Sequence, residues 1–159
     1  KTIQNKRFET SHVLETIKDS KFIFICIGTP ISKKLRPDLK KFFNLIISVK
    51  KIINNNSHLI IRSSIAPGTF RKIFKALNKN NNFTNLSYCP ERVLQGQSMI
   101  ELSKIPQIIS SYNLKTLKHV KKLFSKLCKT VLVCKPEEAE MAKILSNESL
   151  VTVIVMRQY

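Results

Sequence analysis

The 159-residue sequence is poor in glycine, with Gly28, Gly68 and Gly96 as its only examples, and it has no tryptophan. Three isolated glycines cannot form the G-x-G-x-x-G loop that holds a dinucleotide pyrophosphate at a helix N-terminus. Apolar runs long enough to cross a bilayer are also absent, and the first residues lack the apolar centre of a signal peptide. The sequence therefore excludes a complete dinucleotide fingerprint within these residues, and we expect no membrane partner.

The sequence also lacks the cysteine and histidine patterns of disulfide-rich or metal-binding proteins. Its four cysteines form no C-x-x-C pair, and two of them lie in apolar strand-like runs, where a thiol is a small hydrophobic group: Cys26, Cys89, Cys128 and Cys134. His12, His58 and His119 are far apart and near no acidic cluster. We expect no metal site, and reduced thiols in a cytoplasmic protein.

Acidic residues are scarce, because 10 of them face 28 lysines and arginines for a net charge of +18. Such a charge raises nucleic acid as a partner. However, all but six of the basic residues are lysines, which are spread over several helices, and abundant Asn and Ile accompany them, as A/T-rich coding alone would produce. Aromatic residues are not interleaved with the lysines and arginines, as they are on surfaces that stack nucleobases. We expect no nucleic-acid partner, and a nucleic-acid binder would instead show salt-sensitive retention on DNA.

Apolar patterning predicts an α/β fold. Amphipathic helical segments alternate with short strand-like runs. One helical segment is capped by Asp38, one ends in the Asn-rich turn and one is capped by Asn113. The five strand-like runs are "KFIFICIGTP", "HLIIRSS", "FTNLSYCP", "PQIIS" and "TVLVC". The first two runs are continuous enough to predict strands buried on both faces. Alternation of this kind predicts a doubly wound, Rossmann-like parallel sheet with helices on both sides. A last helix is predicted to begin at Pro136.

The stretch "SYCPERVLQG" at 87–96 follows the third predicted strand directly. Proline and adjacent charges are common in surface loops, and that interpretation is sufficient for the stretch alone. Open α/β sheets, however, place ligand-binding groups just beyond the carboxyl ends of their strands. The position of Glu91 and Arg92 thus leaves both a loop and a site open.

Four segments in order resemble the nucleotide-sugar 6-dehydrogenase family, which includes the UDP-glucose and UDP-N-acetylhexosamine dehydrogenases. They are "FICIGTP" at 24–30 with "PDL" at 37–39, "IRSSIAPGT" at 61–69, "YCPERVLQG" at 88–96 and "EEAEMAKILSN" at 137–147. The "PER" form with the later "IPQII" is most similar to the branch acting on UDP-N-acetylmannosamine. The resemblance implies NAD-dependent oxidation of a UDP-sugar C6 alcohol to a carboxylate, for surface polysaccharide synthesis.

The resemblance also implies roles for particular residues. Glu91 matches the glutamate that orients or activates water, and Lys143 and Asn147 match a lysine and an asparagine facing the reacting carbon. Without the resemblance, Lys143 and Asn147 would be read as a solvated helix face, since their spacing of four puts both on one side. The other implied positions are Ser64 for the catalytic water and the cofactor, Gly28, Thr29, Pro30 and Gln95 for the cofactor, and Arg92 and Val93 for the sugar.

The sequence departs from the family pattern in three ways. It has no glycine loop, none of its cysteines lies in the Gly-rich setting of the family's nucleophile, and "ESLVTVIVMRQY" after Asn147 does not match. We therefore expect the 159 residues to be part of a longer chain: residues 1–135 form an incomplete NAD-binding domain, and residues 136–159 begin the helix that links family homodimers. We also expect no full dehydrogenase activity from this part alone. A catalytically dead remnant or a partner-binding module is the alternative.

Overall fold

The described part of the chain alternates strands with helices, as predicted. The computed structural model describes residues 10–28, 39–91 and 105–148. After a 3-10 turn at Leu14–Ile17, its elements are β1 (Phe22–Ile25), α1 (Leu39–Ile52), β2 (His58–Ile61), α2 (Thr69–Asn81), β3 (Leu86–Tyr88), β4 (Gln107–Ile109), α3 (Leu114–Phe124), β5 (Val131–Val133) and α4 (Pro136–Glu148). None of the helices within these ranges is long and apolar enough to cross a bilayer.

The centre of the fold is β2, which lies between β1 and β3 in a parallel three-stranded sheet. All four of its residues are buried. Because side chains alternate along a strand, Leu59 and Ile61 pack into one apolar cluster while Ile60 packs into the other. Helices α1 and α2 contribute to the first cluster and α3 to the second. The predicted α/β class, with helices on both faces of parallel strands, is confirmed.

The larger cluster is built from helical residues at the spacing the sequence predicts. Helix α1 contributes Phe42, Ile46 and Val49, and α2 contributes Phe70, Ile73 and Leu77, each with at most 2% of its surface exposed. Both sets recur every three or four residues, which places each set on one side of its helix. Each buried side chain of this size adds about 2 kcal/mol of hydrophobic stabilisation.

The prediction that β1 is buried on both faces is wrong. Ile23 and Ile25 are buried against the first cluster, but Phe24 on the other face is 41% exposed and Cys26 beyond the strand is exposed. Among the described elements, α3 covers that second face, where the Phe24 and Phe124 rings meet edge-on at 6.3 Å and Phe22 packs against the same cluster. An outer strand of a sheet is thus less covered than β2, although its sequence is equally apolar.

The predicted strands β4 and β5 form, but they do not continue the parallel sheet. They pair with each other in parallel. Their link to β3 is an antiparallel bridge in which Tyr88 and Ser110 exchange two backbone hydrogen bonds of 2.9 Å. The predicted parallel pairing therefore holds within each of the two sheets, and the isolated bridge that joins them is antiparallel.

Two helix ends follow the predicted signals. Helix α3 begins after Asn113, whose Oδ1 accepts a 3.0 Å hydrogen bond from the Thr116 backbone N–H. Helix α2 ends in the Asn-rich turn, where Asn82 adopts a left-handed φ of 52°, a conformation that asparagine tolerates well. The predicted Asp38 cap of α1 lies outside the described residues.

Two histidines that are distant in sequence meet at the start of β2. His58 Nε2 lies 3.1 Å from His119 Nδ1, and Phe22 stacks on the His58 ring at 5.3 Å. Burial is the main cause that lowers the pKa of His58, and the nearby His119, Lys21 and Lys115 lower it further. No group of three or more potential metal-ligating side chains occurs in residues 10–28, 39–91 and 105–148.

The pKa of His58 predicts an acid-sensitive fold. Since the pKa is lower in the folded state than the ordinary value of 6.5, the unfolded chain binds more protons once the pH falls below that value, and stability decreases. We expect His58→Gln to flatten this decrease between about pH 7.5 and about pH 5, as measured by urea unfolding. The matched control is His12→Gln at an exposed position. Equal pH dependence in both variants would contradict the prediction.

Candidate functional site

The carboxyl ends of β1, β2 and β3 surround a pocket of about 460 Å³. Because these strands are parallel, the residues that follow each of them reach the same edge of the sheet. The pocket is lined by Cys26, Ile27 and Gly28 after β1, Arg62, Ser63 and Ser64 after β2, and Glu91 after β3. The predicted residues Gly28, Ser64 and Glu91 thus line one pocket, which favours the site interpretation of the loop after β3.

Arg62 holds the carboxylate of Glu91 at this edge. Its guanidinium forms an ion pair and hydrogen bond with Glu91 Oε2 and donates a second, 3.3 Å hydrogen bond to Gln107 Oε1. The Arg62 side chain is only 8% exposed, and its guanidinium lies 5.4 Å from the centre of the Phe124 ring. A planar guanidinium with several fixed partners restricts the carboxylate to few positions.

The sequence analysis missed Arg62. Its signal was available, since an arginine directly after the buried run "HLII" must either reach solvent or find a partner. Its partners could not be identified, because Glu91 is 29 residues away and Gln107 is 45 residues away in the chain.

Backbone hydrogen bonds fix the loops that carry these side chains. The N–H groups of Arg62 and Ser63 both donate to the Ile25 carbonyl, at 2.9 and 3.2 Å, and the Ser63 hydroxyl donates to the same oxygen at 3.2 Å. The Glu91 N–H donates to the Arg62 carbonyl at 3.3 Å. Ser64, next in the chain, remains exposed at the pocket. The three strand ends are therefore joined to one another, which gives the pocket a defined shape.

Cys26 is the exposed thiol of the pocket. Desolvation is the main cause that raises its pKa; Arg62 opposes this rise and Glu91 adds to it. A raised pKa reduces the thiolate fraction at neutral pH, so the site does not activate this cysteine as a nucleophile. Cys26 follows the apolar run of β1 but is exposed. Cys89 and Cys128 are the buried thiols, while Cys134 is partly exposed.

The carboxylate of Glu140 links α4 to the start of α2. It is 1% exposed, and its two oxygens accept hydrogen bonds from the backbone N–H groups of Gly68 at 2.7 Å and Phe70 at 2.8 Å. Helix α2 has no side-chain cap from its own N-cap residue, Gly68, which adopts a left-handed φ of 79°. A carboxylate in this position satisfies two unpaired donors and interacts favourably with the helix dipole.

A second, exposed contact reinforces the same junction. Arg71 donates two hydrogen bonds to Glu137 Oε1, at 3.0 and 2.6 Å, and the Tyr112 hydroxyl donates to the same oxygen. The bond from Tyr112 is the main cause that lowers the pKa of Glu137. The Tyr112 ring also packs on Phe70 and Phe74 at 5.7 and 5.0 Å between ring centres. Helices α2 and α4 therefore pack together near the pocket.

The structure describes Lys143 among the remaining predicted site residues. Lys143 lies on α4, three residues beyond Glu140, and is partly buried, but the lining of the pocket across the described ranges does not include it. The side chain of Asn147 lies outside the description, and so do five further predicted residues: Thr29, Pro30, Arg92, Val93 and Gln95. Convergence of Glu91 with Lys143 and Asn147 stays a prediction.

Comparison with known proteins agrees with the resemblance seen in the sequence motifs. Residues 1–128 match the model of the NAD-binding domain of the UDP-glucose/GDP-mannose dehydrogenase family. The UDP-N-acetyl-D-mannosamine dehydrogenase of Methanocaldococcus jannaschii is 30% identical over 127 residues, which cover 77% of this chain and 30% of that protein. Protein CapL of Staphylococcus aureus is 27% identical over 154 residues, covering 91% of this chain and 36% of CapL.

The solved structure of the UDP-N-acetyl-D-mannosamine dehydrogenase of Pyrococcus horikoshii has a similar fold. It superposes with a TM-score of 0.76 at 29% identity, and the match covers 86% of this chain and 34% of the solved chain. The chain spans about a third of the length of the relatives it matches.

Removing the charge of Glu140 tests the link between the helices. We expect Glu140→Gln to lower the free energy of unfolding by about 2 kcal/mol, because the amide cannot replace both charge-assisted hydrogen bonds to the start of α2. The measurement is urea unfolding at neutral pH. Glu15→Gln makes the same change in net charge at an exposed position, where we expect less than about 0.5 kcal/mol. A loss in Glu140→Gln no larger than in this control would contradict the assignment.

Proposed function

The chain belongs to the UDP-glucose/GDP-mannose dehydrogenase family, and from this we propose that it is the portion of an NAD-dependent UDP-sugar 6-dehydrogenase that carries part of the active site. The proposed reaction converts the C6 alcohol of UDP-N-acetylmannosamine, or a similar sugar, to the uronate for surface polysaccharide. The observation that carries the proposal is that Glu91, Ser64 and Gly28 line the same pocket. The complete enzyme would act in the cytoplasm as a homodimer.

NAD is the cofactor of the matched domain, and the chemistry of the pocket suits one part of it. The Ser64 hydroxyl and the backbone at Gly28 lie together at the carboxyl edge of the sheet. The space beside Gly28 is open, since an added Cβ would meet no atom within 4 Å. When bound, NAD would accept a hydride from C6, and the change from alcohol to carboxylate requires two such transfers and therefore two molecules of NAD. Gly28 and Ser64 would contact it here, together with Thr29, Pro30 and Gln95. Its pyrophosphate would need the glycine loop that these 159 residues lack.

Glu91 supplies the carboxylate that the proposed reaction needs. Oxidation to a carboxylate ends with addition of water, and a carboxylate can orient that water and accept its proton. Glu91 is 42% exposed at the pocket while its partner Arg62 is only 8% exposed. The buried guanidinium of Arg62 therefore restrains the Glu91 side chain, while the carboxylate itself remains accessible from the pocket. We assign Glu91 as the catalytic carboxylate and Arg62 as its positioning residue.

The cationic part of the proposed site comes from α4. Loss of hydride from an alcohol requires removal of the hydroxyl proton and stabilisation of negative charge on the oxygen. The ammonium group of Lys143 and the amide of Asn147 would provide that stabilisation. Their spacing of four residues gives them one side of α4, and Glu140 ties the same helix to the loop between Ser64 and α2. Arg92 and Val93 would contact the sugar.

A chimera provides the direct test. Residues 1–148 of this chain replace the matching segment of the Pyrococcus horikoshii enzyme, and reduction of NAD is followed with UDP-N-acetylmannosamine. We expect activity in the chimera, and a loss of at least about 100-fold in kcat for Glu91→Gln, because a positioned acid–base group contributes at least that much. The loss for Lys143→Ala should be similar. Lys72→Ala at an exposed position of α2 is the control, with activity unchanged.

Two results would contradict the proposal. A Glu91→Gln chimera that keeps half or more of the activity would remove Glu91 from the chemistry. A chimera that folds and binds NAD but does not oxidise any UDP-sugar would favour the remnant or partner-binding alternative. The 159-residue chain by itself should show no sustained reduction of NAD in the same assay, because these residues lack the glycine loop for the pyrophosphate and the cysteine setting needed for the second oxidation.

A further inference from the structure

A second pocket, of about 540 Å³, lies at the opposite edge of the sheet. It includes Phe22 and His58, the first residues of β1 and β2, and therefore sits at the amino ends of the strands. Each strand rises about 3.3 Å per residue, so four residues of β2 place this pocket more than about 10 Å from the carboxyl edge. It shares no residue with the candidate site around Glu91.

The charged side chains that line this pocket are all basic. Lys21 comes from the start of β1, and Lys115, Lys122 and Lys126 come from α3 and the turn after it. Lys115, His119 and Lys122 are spaced by four and three residues, which places them on one side of α3, and Lys126 follows four residues later in the turn. No aspartate or glutamate lines the pocket within the ranges that the structure covers. The lysines at this edge thus converge, unlike the scattered lysines elsewhere.

This arrangement is unfavourable when the pocket is empty of anions. A pair of like charges four residues apart opposes helix formation by roughly 0.2–0.5 kcal/mol. Lys118 and Lys122 form such a pair in α3, which contains no acidic residue to offset it. Burial is the main cause that acts against a positive charge on His58, and His119, Lys21 and Lys115 add to it. An anion would neutralise these charges at once.

Imidazole groups give the pocket fixed hydrogen-bonding positions. His58 is 4% exposed and is held between the Phe22 ring and His119, with a 3.1 Å contact between His58 Nε2 and His119 Nδ1. Its Nδ1 has no hydrogen-bond partner among the residues described. The amide of Asn56 also lines the pocket. Imidazole and amide N–H groups donate to anionic oxygens, so orienting groups accompany the charge.

We propose that the pocket at the amino edge binds a small anion that carries two or more phosphate groups. Four ammonium groups around one pocket suit a compact anion of several charges, and its volume lies within the range of about 300–1,000 Å³ found for small-molecule sites. A metal cation is unsuited to this lining, which is basic and has no carboxylate. A single-stranded nucleic acid bound through its bases would need exposed aromatic stacking surfaces, whereas Phe22 is partly buried and stacked on His58.

Calorimetric titration of the 159-residue chain with tripolyphosphate tests the proposal. We expect saturable binding at low salt, at least about 10-fold tighter than that of inorganic phosphate, which weakens steeply as potassium chloride is added. The double variant Lys115→Gln/Lys122→Gln should bind at least about 10-fold more weakly, since each removed charge contributes at close range. Lys72→Gln/Lys75→Gln removes the same charge from exposed positions of α2 and should bind within about twofold of the unmodified chain.

A titration with ADP separates two sources of the phosphate groups. ADP binding that is lost in the Lys115/Lys122 variant, and is tighter than pyrophosphate binding, identifies a nucleotide and supports the proposal. If ADP and pyrophosphate bind equally well, and both lose binding in the Lys115/Lys122 variant, the proposal is supported with an inorganic polyphosphate as the ligand.

Three results would overturn the proposal. The first is an equal loss of binding in the two double variants, which would mean attraction by net charge alone. The second is the absence of tripolyphosphate binding by a chain whose circular dichroism shows that it is folded. The third is preferential binding of a single-stranded oligonucleotide over tripolyphosphate, which would indicate a nucleic-acid surface.

Discussion

The buried carboxylate of Glu140 makes one unit of two parts of the fold that are far apart in the chain. Its oxygens accept from the backbone N–H groups of Gly68 and Phe70, so α4 supplies the cap that α2 lacks. The loop between β2 and α2 carries Ser64 and ends at this cap, while α4 carries Lys143. The carboxyl edge of the sheet and the helix behind it therefore hold their relative positions through one charged group and two backbone donors.

The parallel sheet separates two kinds of chemistry. At the carboxyl ends of the strands, Arg62 holds Glu91 beside exposed Ser64, an arrangement suited to positioning water and a sugar alcohol. At the amino ends, lysines converge around the buried His58, an arrangement suited to an anion. The separation is a consequence of strand direction, because all residues that follow the strands gather at one edge and all residues that precede them gather at the other.

Local sequence signals predicted the elements well where the signal is itself local. The buried run "HLII" became the central strand, and Asn113 caps α3. Exposure of Phe24 and the antiparallel bridge between Tyr88 and Ser110 could not be predicted in this way, because each depends on contacts between parts of the chain that are distant in sequence. The same holds for the site: motifs identified Glu91 and Ser64, but the partners of Glu91 and Glu140 are long-range contacts that no periodicity encodes.

Native-state hydrogen exchange at two backbone amides tests the Glu140 cap most directly. If the carboxylate binds the start of α2, the N–H groups of Gly68 and Phe70 should exchange slowly, at rates close to those of the central strand β2. In a chain carrying Glu140→Gln, both should exchange much faster while the amides of β2 keep their protection. Fast exchange of both amides in the unmodified chain would mean that the cap does not form in solution, and that α4 is not held at the edge where Ser64 and Glu91 lie.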